Sequence, residues 1–388
     1  MLKGNILVLG NSGVGKSTLI NAVLGEDAAP TGWGVDSVTK EVRRYGGDNS
    51  MFYLVDSIGF QPDKKGSDNA VGAVKKWSAA GMKKGGGDNA VDMVWLCVDG
   101  TSRKLFPQTL EYFSKATAMW KNVPVIVVIT KSYSETERNE NVLMVNNAFA
   151  ISKNISCNLK AVIPVVAKPY FFTETMFAPP YGISELIDRT MENMREGIDN
   201  SGETIASVRL KSKRIGAQLI IAGSVASAVA ACAIPVPLAD SAMLVPIELA
   251  EIRFISGNYE IKNDKIIEVI SESIIAGGAA TVAARTALSA LKAIPGLNIA
   301  AAVLNSVVGG SMAALIGECT VFICEQQYLH NRDVENDPEW VRSAVNEKFG
   351  SSEIISRVTE IAESIGGSKD NKNITSAIIK AFTKKDKK

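Results

Sequence analysis

This chain of 388 residues has few aromatic side chains and a net charge close to zero. Aromatic residues make up 6% of it, and the formal net charge is +1. A surface that stacks single-stranded bases needs clustered aromatics, and a general attraction to nucleic acid needs an excess of basic residues. The composition therefore indicates no nucleic-acid partner.

Metal-ligating residues are scarce as well. The only histidine is His330, and the cysteines lack the close pairing of a zinc site or a disulfide framework. Cys319 and Cys324 lie near each other in an apolar stretch, which predicts buried free thiols. His330 is expected to satisfy a helix end. Because no secretory signal precedes the first predicted strand, we expect a reduced, cytoplasmic location.

Residues 1–200 are predicted to form an α/β domain. Short apolar runs alternate with helical segments, as in a mostly parallel sheet covered by helices on both faces. An alternating segment followed by a polar turn adds an edge strand, which makes six strands and a mixed sheet. The predicted strands are Asn5–Gly10, Thr39–Tyr45, Met51–Asp56, Met93–Asp99, Pro124–Thr130 and Ala161–Ala167. The predicted helices include Lys16–Leu24, closed by Gly25, and Pro107–Trp120.

Residues 201–335 change in composition to Ala, Gly, Ile and Val at helical spacing, which predicts an all-α domain. Two uncharged runs, Ile215–Ala239 and Ala293–Gly317, each contain an Ala-Ile-Pro break. Proline interrupts a helix, so two helical hairpins are expected. Residues 336–388 are predicted to form a tail of short helices with a solvated basic end.

A phosphate-binding motif lies between the first strand and the first helix. Residues Gly10–Ser17 fit G-x-x-x-x-G-K-[ST] in full. Backbone N–H groups of such a loop hold phosphates, Lys16 pairs with the β- and γ-phosphates, and the Ser17 hydroxyl binds Mg²⁺. The predicted phosphate-side residues are Asn11, Ser12, Gly13, Val14, Gly15, Lys16, Ser17 and Thr18.

A second motif follows at the expected distance. Asp56 to Gly59 fit D-x-x-G, in which the aspartate assists Mg²⁺ and the glycine N–H reaches the γ-phosphate. Between the two motifs, Thr39 is our candidate for the switch threonine that closes on Mg²⁺ and the γ-phosphate, and Thr31 is the rival. Lys16, Thr39 and Gly59 are the predicted catalytic residues, and Ser17, Thr39 and Asp56 the predicted metal ligands.

Together these motifs resemble an Era-like GTPase of the translation-factor-related class over residues 1–195. The later segments Pro235–Asp240 and Leu244–Ile247 resemble a helical domain of unknown function that follows such G domains in a bacterial group. The resemblance implies a Ras-like G domain followed by an all-α domain. It also implies GTP and GDP as ligands, Mg²⁺ as cofactor and slow hydrolysis of GTP.

The base-reading motif of that class, [NT]-K-x-D, is incomplete. Thr130 and Lys131 match it, but Tyr133 stands where the guanine-reading aspartate belongs. Glu135 or Glu137 could supply the carboxylate, or selectivity could be relaxed. The segment ending in Ala167 and Lys168 resembles the Ser-Ala-Lys element near the base, without its serine. GTP is favoured, and ATP remains the alternative.

The catalytic pattern is also altered. Phe60 occupies the position of the water-orienting glutamine, so the resemblance implies that a dimer partner or an effector supplies that role. Gly13 replaces the asparagine of K⁺-activated relatives, so K⁺ activation is not indicated. Arg103 could stabilise charge, although a surface arginine is the more ordinary interpretation. Residues 61–90 occupy the place of the second switch.

Two hypotheses remain for residues 203–330. They form a bundle of close-packed helices, or they associate with a membrane, since uncharged runs of this length qualify as spans. We predict a regulatory GTPase that dimerises through its nucleotide face and relays its state to this region, which engages a membrane surface or a protein effector. The alternatives are a nucleotide-binding scaffold without useful turnover and an ATPase.

Overall fold

The computed structural model describes residues 4–25, 28–31, 41–47, 50–61, 64–83, 90–102, 107–118, 120, 122–151, 158–194, 205–233, 239–276, 278–294, 299–350, 352–366 and 368–383. By their internal contacts the residues form two compact units. The G unit comprises Met1–Lys168 and Pro180–Ile215, and the helical unit comprises Pro169–Pro179 and Gly216–Lys388. The division predicted from sequence, at residues 200 and 335, stays a prediction.

The G unit contains a six-stranded sheet in the order β2-β3-β1-β4-β5-β6. All neighbours are parallel except β2, which runs antiparallel to β3 at the edge. The mostly parallel, mixed sheet predicted from the sequence is therefore confirmed. The strands are β1 (Asn5–Gly10), β2 (Arg43–Tyr45), β3 (Tyr53–Asp56), β4 (Met93–Asp99), β5 (Pro124–Thr130) and β6 (Asn158–Pro164).

Helices cover this sheet, whose central strands β1 and β5 are buried along their whole length. Continuous apolar runs suit strands that are covered on both faces. The helices are α1 (Lys16–Leu24), α2 (Lys64–Lys83), α3 (Pro107–Thr117), α4 (Glu135–Ile151) and α5 (Ile183–Asn193). Gly25 ends α1 in the left-handed conformation, with its N–H donating to Asn21 O, as predicted.

The last strand of the sheet begins and ends three residues earlier than predicted. Proline has no N–H to donate, and β6 ends at Pro164. Val165 N still donates to Ile129 O, but Val166 exchanges both backbone hydrogen bonds with Tyr181 at 2.9 and 3.0 Å. The chain thus leaves the sheet before the segment that contains Ala167.

The described residues of the helical unit form helices and one small hairpin of β7 (Tyr170–Phe171) and β8 (Phe177–Ala178), which was not predicted from the sequence. Within this unit α10 packs against α7, α9 and α13. The helices are α6 (Ile205–Cys232, which begins in the G unit), α7 (Ala239–Asn258), α8 (Asp264–Ser271), a π-helical turn (Glu272–Ala276), α9 (Ala279–Lys292), α10 (Ala301–Tyr328), α11 (Pro338–Phe349), α12 (Ser352–Ser364) and α13 (Asn371–Thr383).

The predicted helix breaks coincide with helix ends. Helix α6 ends at Cys232, directly before Ala233-Ile234-Pro235, and α9 ends at Lys292, directly before Ala293-Ile294-Pro295. Residues 234–238 and 295–298 lie outside the described residues. Cys319 and Cys324 are buried free thiols, as predicted. His330 follows the end of α10, where its N–H donates to Gln327 O.

Within the part of the chain that the structure describes, three stretches are long and apolar enough to cross a membrane, judged by length and composition alone: Arg209–Cys232, Asp264–Lys292 and Ala301–Tyr328. They differ in how far the protein itself covers them. In Ala301–Tyr328, 89% of the most apolar window is buried, whereas in Asp264–Lys292 the share is 38%. Both hypotheses for this region, a packed bundle and membrane association, therefore stay open.

Candidate functional site

The phosphate-binding loop leaves β1 and enters α1 through left-handed backbone. Gly13 has φ 75° and Gly15, the residue before α1, has φ 98°. L-residues with a side chain rarely adopt such angles. At Gly10 a β-carbon would lie 2.3 Å from Cys97 O on the neighbouring strand, so the close approach itself requires glycine. The motif residues are thus the ones that this backbone path demands.

Lys16 is held inside the loop. Its side chain is 6% exposed, and its Nζ donates to Asn11 O at 3.0 Å and to Gly10 O at 3.3 Å. Burial lowers the pKa of the Lys16 ammonium, and the nearby Asp56 carboxylate partly opposes that effect. A buried cation surrounded by carbonyls gains strongly from an anion. The geometry fits a lysine placed to receive phosphate.

Ser17 and Asp56 meet beside this lysine. Ser17 Oγ donates to Asp56 Oδ2 at 2.7 Å, and Asp56 is fully buried at the end of β3. Hydroxyl and carboxylate oxygens are the hard ligands that Mg²⁺ prefers. The donor set fits this ion, and the two predicted ligands that lie within the described residues, Ser17 and Asp56, are adjacent to each other. Thr18 follows, half-buried, in the first turn of α1.

The D-x-x-G segment lies directly on the phosphate-binding loop. Ser12 N donates to Phe60 O at 2.9 Å, and Phe60 N donates to Gly10 O at 3.1 Å. A β-carbon at Gly59 would lie 2.6 Å from Ser12 Cα and 2.8 Å from Lys16 Nζ. Only glycine fits there, and its backbone borders the lysine that is expected to hold the γ-phosphate.

Phe60 points into the core. Its side chain is 2% exposed and its ring lies 5.9 Å from that of Tyr112. The sequence analysis assigned Phe60 to the glutamine position, and this burial keeps the ring away from solvent. Of the two candidates for the switch threonine, Thr31 is exposed and Thr39 lies outside the described residues. Arg103, considered for charge stabilisation, also lies outside them.

Thr130 ties the end of β5 to the phosphate-binding loop. Its Oγ1 donates to Val14 O at 2.6 Å and lies 3.0 Å from Val98 O, and the residue is buried. The first residue of the incomplete base-reading motif thus supports the loop that precedes α1. The motif allows asparagine or threonine at this position, and either side chain can donate a hydrogen bond to Val14 O.

Lys131, the next residue, is paired with a carboxylate that the sequence analysis missed. Lys131 has φ 55°, and its Nζ lies 2.7 Å from Asp99 Oδ2 at the end of β4. Burial raises the pKa of the Asp99 carboxyl, but the bonds from Lys131 and Thr101 outweigh it and lower the pKa below its usual value. Asp99 therefore stays ionised beside the predicted base-side lysine. Its position at the carboxyl end of a parallel strand was the available signal.

The loop after Lys131 leads into α4. Tyr133 is half-buried, and its N–H donates to Lys131 O at 2.8 Å in a tight turn. Glu135 begins α4, and Glu137 lies in its first turn. Glu135 and Glu137 were the carboxylates considered for guanine, whereas the ion pair that Lys131 makes is with Asp99.

The second base-side segment, with Ala167 and Lys168, is anchored to this loop. The Arg138 guanidinium lies 3.8 Å from the centre of the Tyr181 ring, and Arg138 Nε donates to Ser132 O at 3.1 Å. Tyr181 in turn pairs with Val166, next to Ala167. Ala167 is half-buried and Lys168 is exposed.

Gln61, one residue after Phe60, also escaped the sequence analysis. Both backbone groups of Gln61 bond to the Ser67 hydroxyl. Ser67 Oγ accepts from Gln61 N at 3.0 Å and donates to Gln61 O at 2.7 Å. Its side-chain Nε2 lies 3.5 Å from Gly59 O. The signal was a glutamine displaced by one position from the usual place.

Residues 5–131 match the model of a family described as 50S ribosome-binding GTPase. The match includes the phosphate-binding loop, Asp56, Gly59, Thr130 and Lys131, and ends before Tyr133. No curated protein matches the chain.

Several solved structures are similar to this chain, with low sequence identity and low TM-scores. Era in complex with MgGDPNP and nucleotides 1506–1542 of 16S ribosomal RNA is 20% identical, with a TM-score of 0.37, over 58% of this chain and 67% of that one. A probable GTP-binding protein engB is 21% identical, with a TM-score of 0.35, over 50% of this chain and 100% of that one. A bacterial dynamin pair is 9% identical, with a TM-score of 0.27, over 98% of this chain and 79% of that one. At these levels the similarities carry no information on activity or partners.

Proposed function

We propose that this chain is a regulatory GTPase, because residues 5–131 match the model of a family described as 50S ribosome-binding GTPase. It binds GTP with Mg²⁺, hydrolyses it slowly on its own, and passes the nucleotide state to its helical unit. Lys16, Gly59 and Thr39 act on the γ-phosphate, and Ser17, Asp56 and Thr39 hold the metal.

One observation carries the proposal. The buried Lys16 ammonium lies between loop carbonyls and Gly59, beside the Ser17–Asp56 hydrogen bond. A positive charge and a metal-binding oxygen pair thus converge where β1 gives way to α1. When bound, Mg²⁺ would neutralise charge on the phosphate oxygens. The protein's own part is to bind and orient the triphosphate.

GTP is the proposed nucleotide, although Tyr133 replaces the usual aspartate. Family membership favours GTP, and Asp99 supplies an ionised carboxylate next to Lys131. Guanine offers two adjacent donors to a carboxylate, and adenine does not. An ATPase is the second candidate, and the substitution at Tyr133 is the observation in its favour.

The proposed relay uses residues 169–179. They follow Ala167 and Lys168 directly, yet they group with the helical unit, while the chain on both sides belongs to the G unit. Phe177 of this hairpin packs on Phe254 of α7 at 6.2 Å between ring centres. A shift of the base-side segment would therefore act on a hairpin that is packed within the helical unit.

The proposed partners are a second copy of the chain, across the nucleotide face, and a membrane surface or protein effector at residues 203–330. Dimerisation rests on Phe60, and membrane association on the three apolar stretches. The expectation that nucleic acid is not a partner gains no support, because the family's description names the ribosome. A scaffold that binds nucleotide without turnover remains the alternative.

Turnover of GTP and ATP by the full chain with Mg²⁺, measured over a wide range of protein concentration, tests the proposal. A GTP rate per molecule that rises with concentration supports a GTPase activated by dimerisation. Tight binding with no turnover at any concentration supports the scaffold, and a preference for ATP overturns the base assignment.

A further inference from the structure

We propose that Gln61 positions the attacking water in cis, one residue later than the usual glutamine. The inference rests on the proposed GTPase function and goes beyond it, since Phe60 led us to expect that role from a partner. Gln61 lies at the end of the site where the γ-phosphate is expected.

Gln61 lies next to the residues that define that end. Its Nε2 is 3.5 Å from Gly59 O, and a β-carbon at Gly59 would approach Lys16 Nζ to 2.8 Å. The amide is therefore two residues from the glycine that borders the phosphate-binding ammonium. A contact of 3.5 Å is too long to hold the amide firmly, so the side chain can turn toward a ligand.

The backbone of Gln61 is held firmly. Ser67, which is fully buried in α2, accepts from Gln61 N and donates to Gln61 O. On the other side, Phe60 exchanges backbone hydrogen bonds with Ser12 and Gly10 of the phosphate-binding loop. A fixed backbone with an adjustable side chain is what a positioning residue needs.

Phe60 has a structural role that explains the displacement. Its ring fills the core beside Tyr112, so a glutamine at position 60 would bury an amide there. Gln61 is half-buried and follows directly. The polar function and the core-filling function thus fall on successive residues.

The chemistry requires no further reactant than water. The water oxygen forms a bond to the γ-phosphorus, the bond from that phosphorus to the β–γ bridging oxygen breaks, and the electron pair leaves on GDP. The water's protons go to inorganic phosphate and solvent. Gln61 Oε1 accepts a hydrogen bond from the water and Nε2 donates to a γ-phosphate oxygen, so the amide itself exchanges no proton.

The test compares the full-length wild type with Gln61→Ala and with Gln108→Ala, a matched truncation of an exposed glutamine on α3. Three quantities are measured: single-turnover GTP hydrolysis, affinity for a non-hydrolysable GTP analogue, and formation of the GDP–aluminium fluoride complex, which mimics the transition state. We expect Gln61→Ala to lose about a hundredfold in rate and to lose the fluoride complex, with analogue affinity nearly unchanged. Gln108→Ala should match the wild type.

A mixture of Gln61→Ala with Lys16→Ala separates action in cis from action across a dimer. The Lys16→Ala chain carries an intact Gln61 but should bind nucleotide at least about a hundredfold more weakly. At a GTP concentration that fills only the Gln61→Ala chain, it should not rescue the rate if Gln61 acts in cis. Rescue, or an unaltered rate and fluoride complex in Gln61→Ala, would overturn the inference, as would a wild type that binds GTP and never forms that complex. A wild type that does not bind GTP would instead contradict the proposed function itself.

Discussion

Among the described residues, the two units differ in how their buried hydroxyl groups are satisfied. In the G unit, buried hydroxyls near the site have defined acceptors: Thr130 bonds to Val14 O and Ser57 to Val8 O. In the helical unit, the hydroxyls of Ser227 and Ser311 are buried without a hydrogen bond, and the fully buried Glu251 carboxylate has the Ser224 hydroxyl beside it. Such groups cost free energy, so the helical core is less well satisfied than its packing suggests.

Glycine residues also have different roles in the two units. In the phosphate-binding loop, Gly13 and Gly15 permit left-handed backbone. In α10, Gly309 and Gly317 permit close helix packing: a β-carbon would lie 2.4 Å from Cys232 Sγ at the first and 2.4 Å from Ile221 Cγ1 at the second. The backbone of the G unit is shaped to bind a ligand. The helices of the helical unit instead pack closely around buried polar groups, some of which lack a hydrogen bond. A core of this kind suits a conformational change, as the proposed relay requires.

The largest effect that separates the units is expected from Lys16→Ala. Removal of the buried ammonium should weaken nucleotide binding by about a hundredfold or more, because a charged contact with phosphate is lost. Titration with a fluorescent GTP analogue measures this. Lys75→Ala, a truncation of an exposed lysine on α2, is the control and should bind normally. Equal affinity of the two variants would contradict the assigned site.

Tyr133→Asp should sharpen the G unit's choice of base. A carboxylate that accepts from guanine should raise the preference for GTP over ATP by about tenfold to a hundredfold. Competition between the two nucleotides measures the ratio, and Tyr133→Phe, which keeps the ring, should leave it unchanged. An unaltered ratio in Tyr133→Asp would mean that another carboxylate, with Asp99 the first candidate, already reads the base.

Gly317→Ala tests the close packing of the helical unit. The new methyl group would lie 2.4 Å from Ile221 Cγ1 and 2.6 Å from Glu251 Oε1, so the free energy of unfolding should fall by about 1–3 kcal/mol. Gly257→Ala in α7, where a β-carbon meets nothing within 4 Å, is the matched control and should stabilise slightly. Thermal unfolding followed by circular dichroism distinguishes them. Equal stability of the two variants would show that α10 is not packed as described.

Glu251→Gln tests the unsatisfied core and should stabilise the helical unit by about 1–2 kcal/mol near neutral pH. Burial, with Glu248 on the same helix and Glu318 on α10, raises the pKa of the Glu251 carboxyl well above its ordinary 4.5, and the Ser224 hydroxyl on α6 opposes this in part. Lys348 and Arg357 act nearby, on Glu318, whose pKa burial also raises.

The direction of the pH dependence follows from that shift. The folded state binds the proton more tightly than the unfolded state, so stability should fall as the pH rises above 4.5. Glu251→Gln should flatten this slope, leaving a contribution from Glu248, whose pKa burial raises to about 7. The exposed Glu268→Gln should keep the wild-type slope. A wild-type slope in Glu251→Gln would show that this carboxyl is not the source.

Much of the G unit could be predicted from its sequence. Continuous apolar runs indicated β1, β4 and β5 with their bounds, and the glycine-lysine-serine spacing located the phosphate-binding loop. These features can be recognised from short segments of sequence. A strand covered on both faces requires apolar residues throughout, and a loop around an anion requires glycine at particular positions.

Other features depend on tertiary contacts and could not be predicted. The pairing of Val166 with Tyr181 ends β6 early, and the short β7–β8 hairpin belongs to the helical unit by its contacts. The pairing of Asp99 with Lys131 joins two strand ends that are distant in sequence. Gln61 was overlooked because the motif places the glutamine at position 60, whereas the backbone of Gln61 is held by Ser67, six residues later in the chain.

Hydrogen exchange of the full chain, compared without nucleotide, with GDP and with a non-hydrolysable GTP analogue, tests the central claim most directly. The account predicts that the analogue changes exchange in the phosphate-binding loop, in residues 169–179 and in the segments of α6 and α7 around Ser224 and Glu251. Changes confined to the G unit would contradict a relay of the nucleotide state to the helical unit.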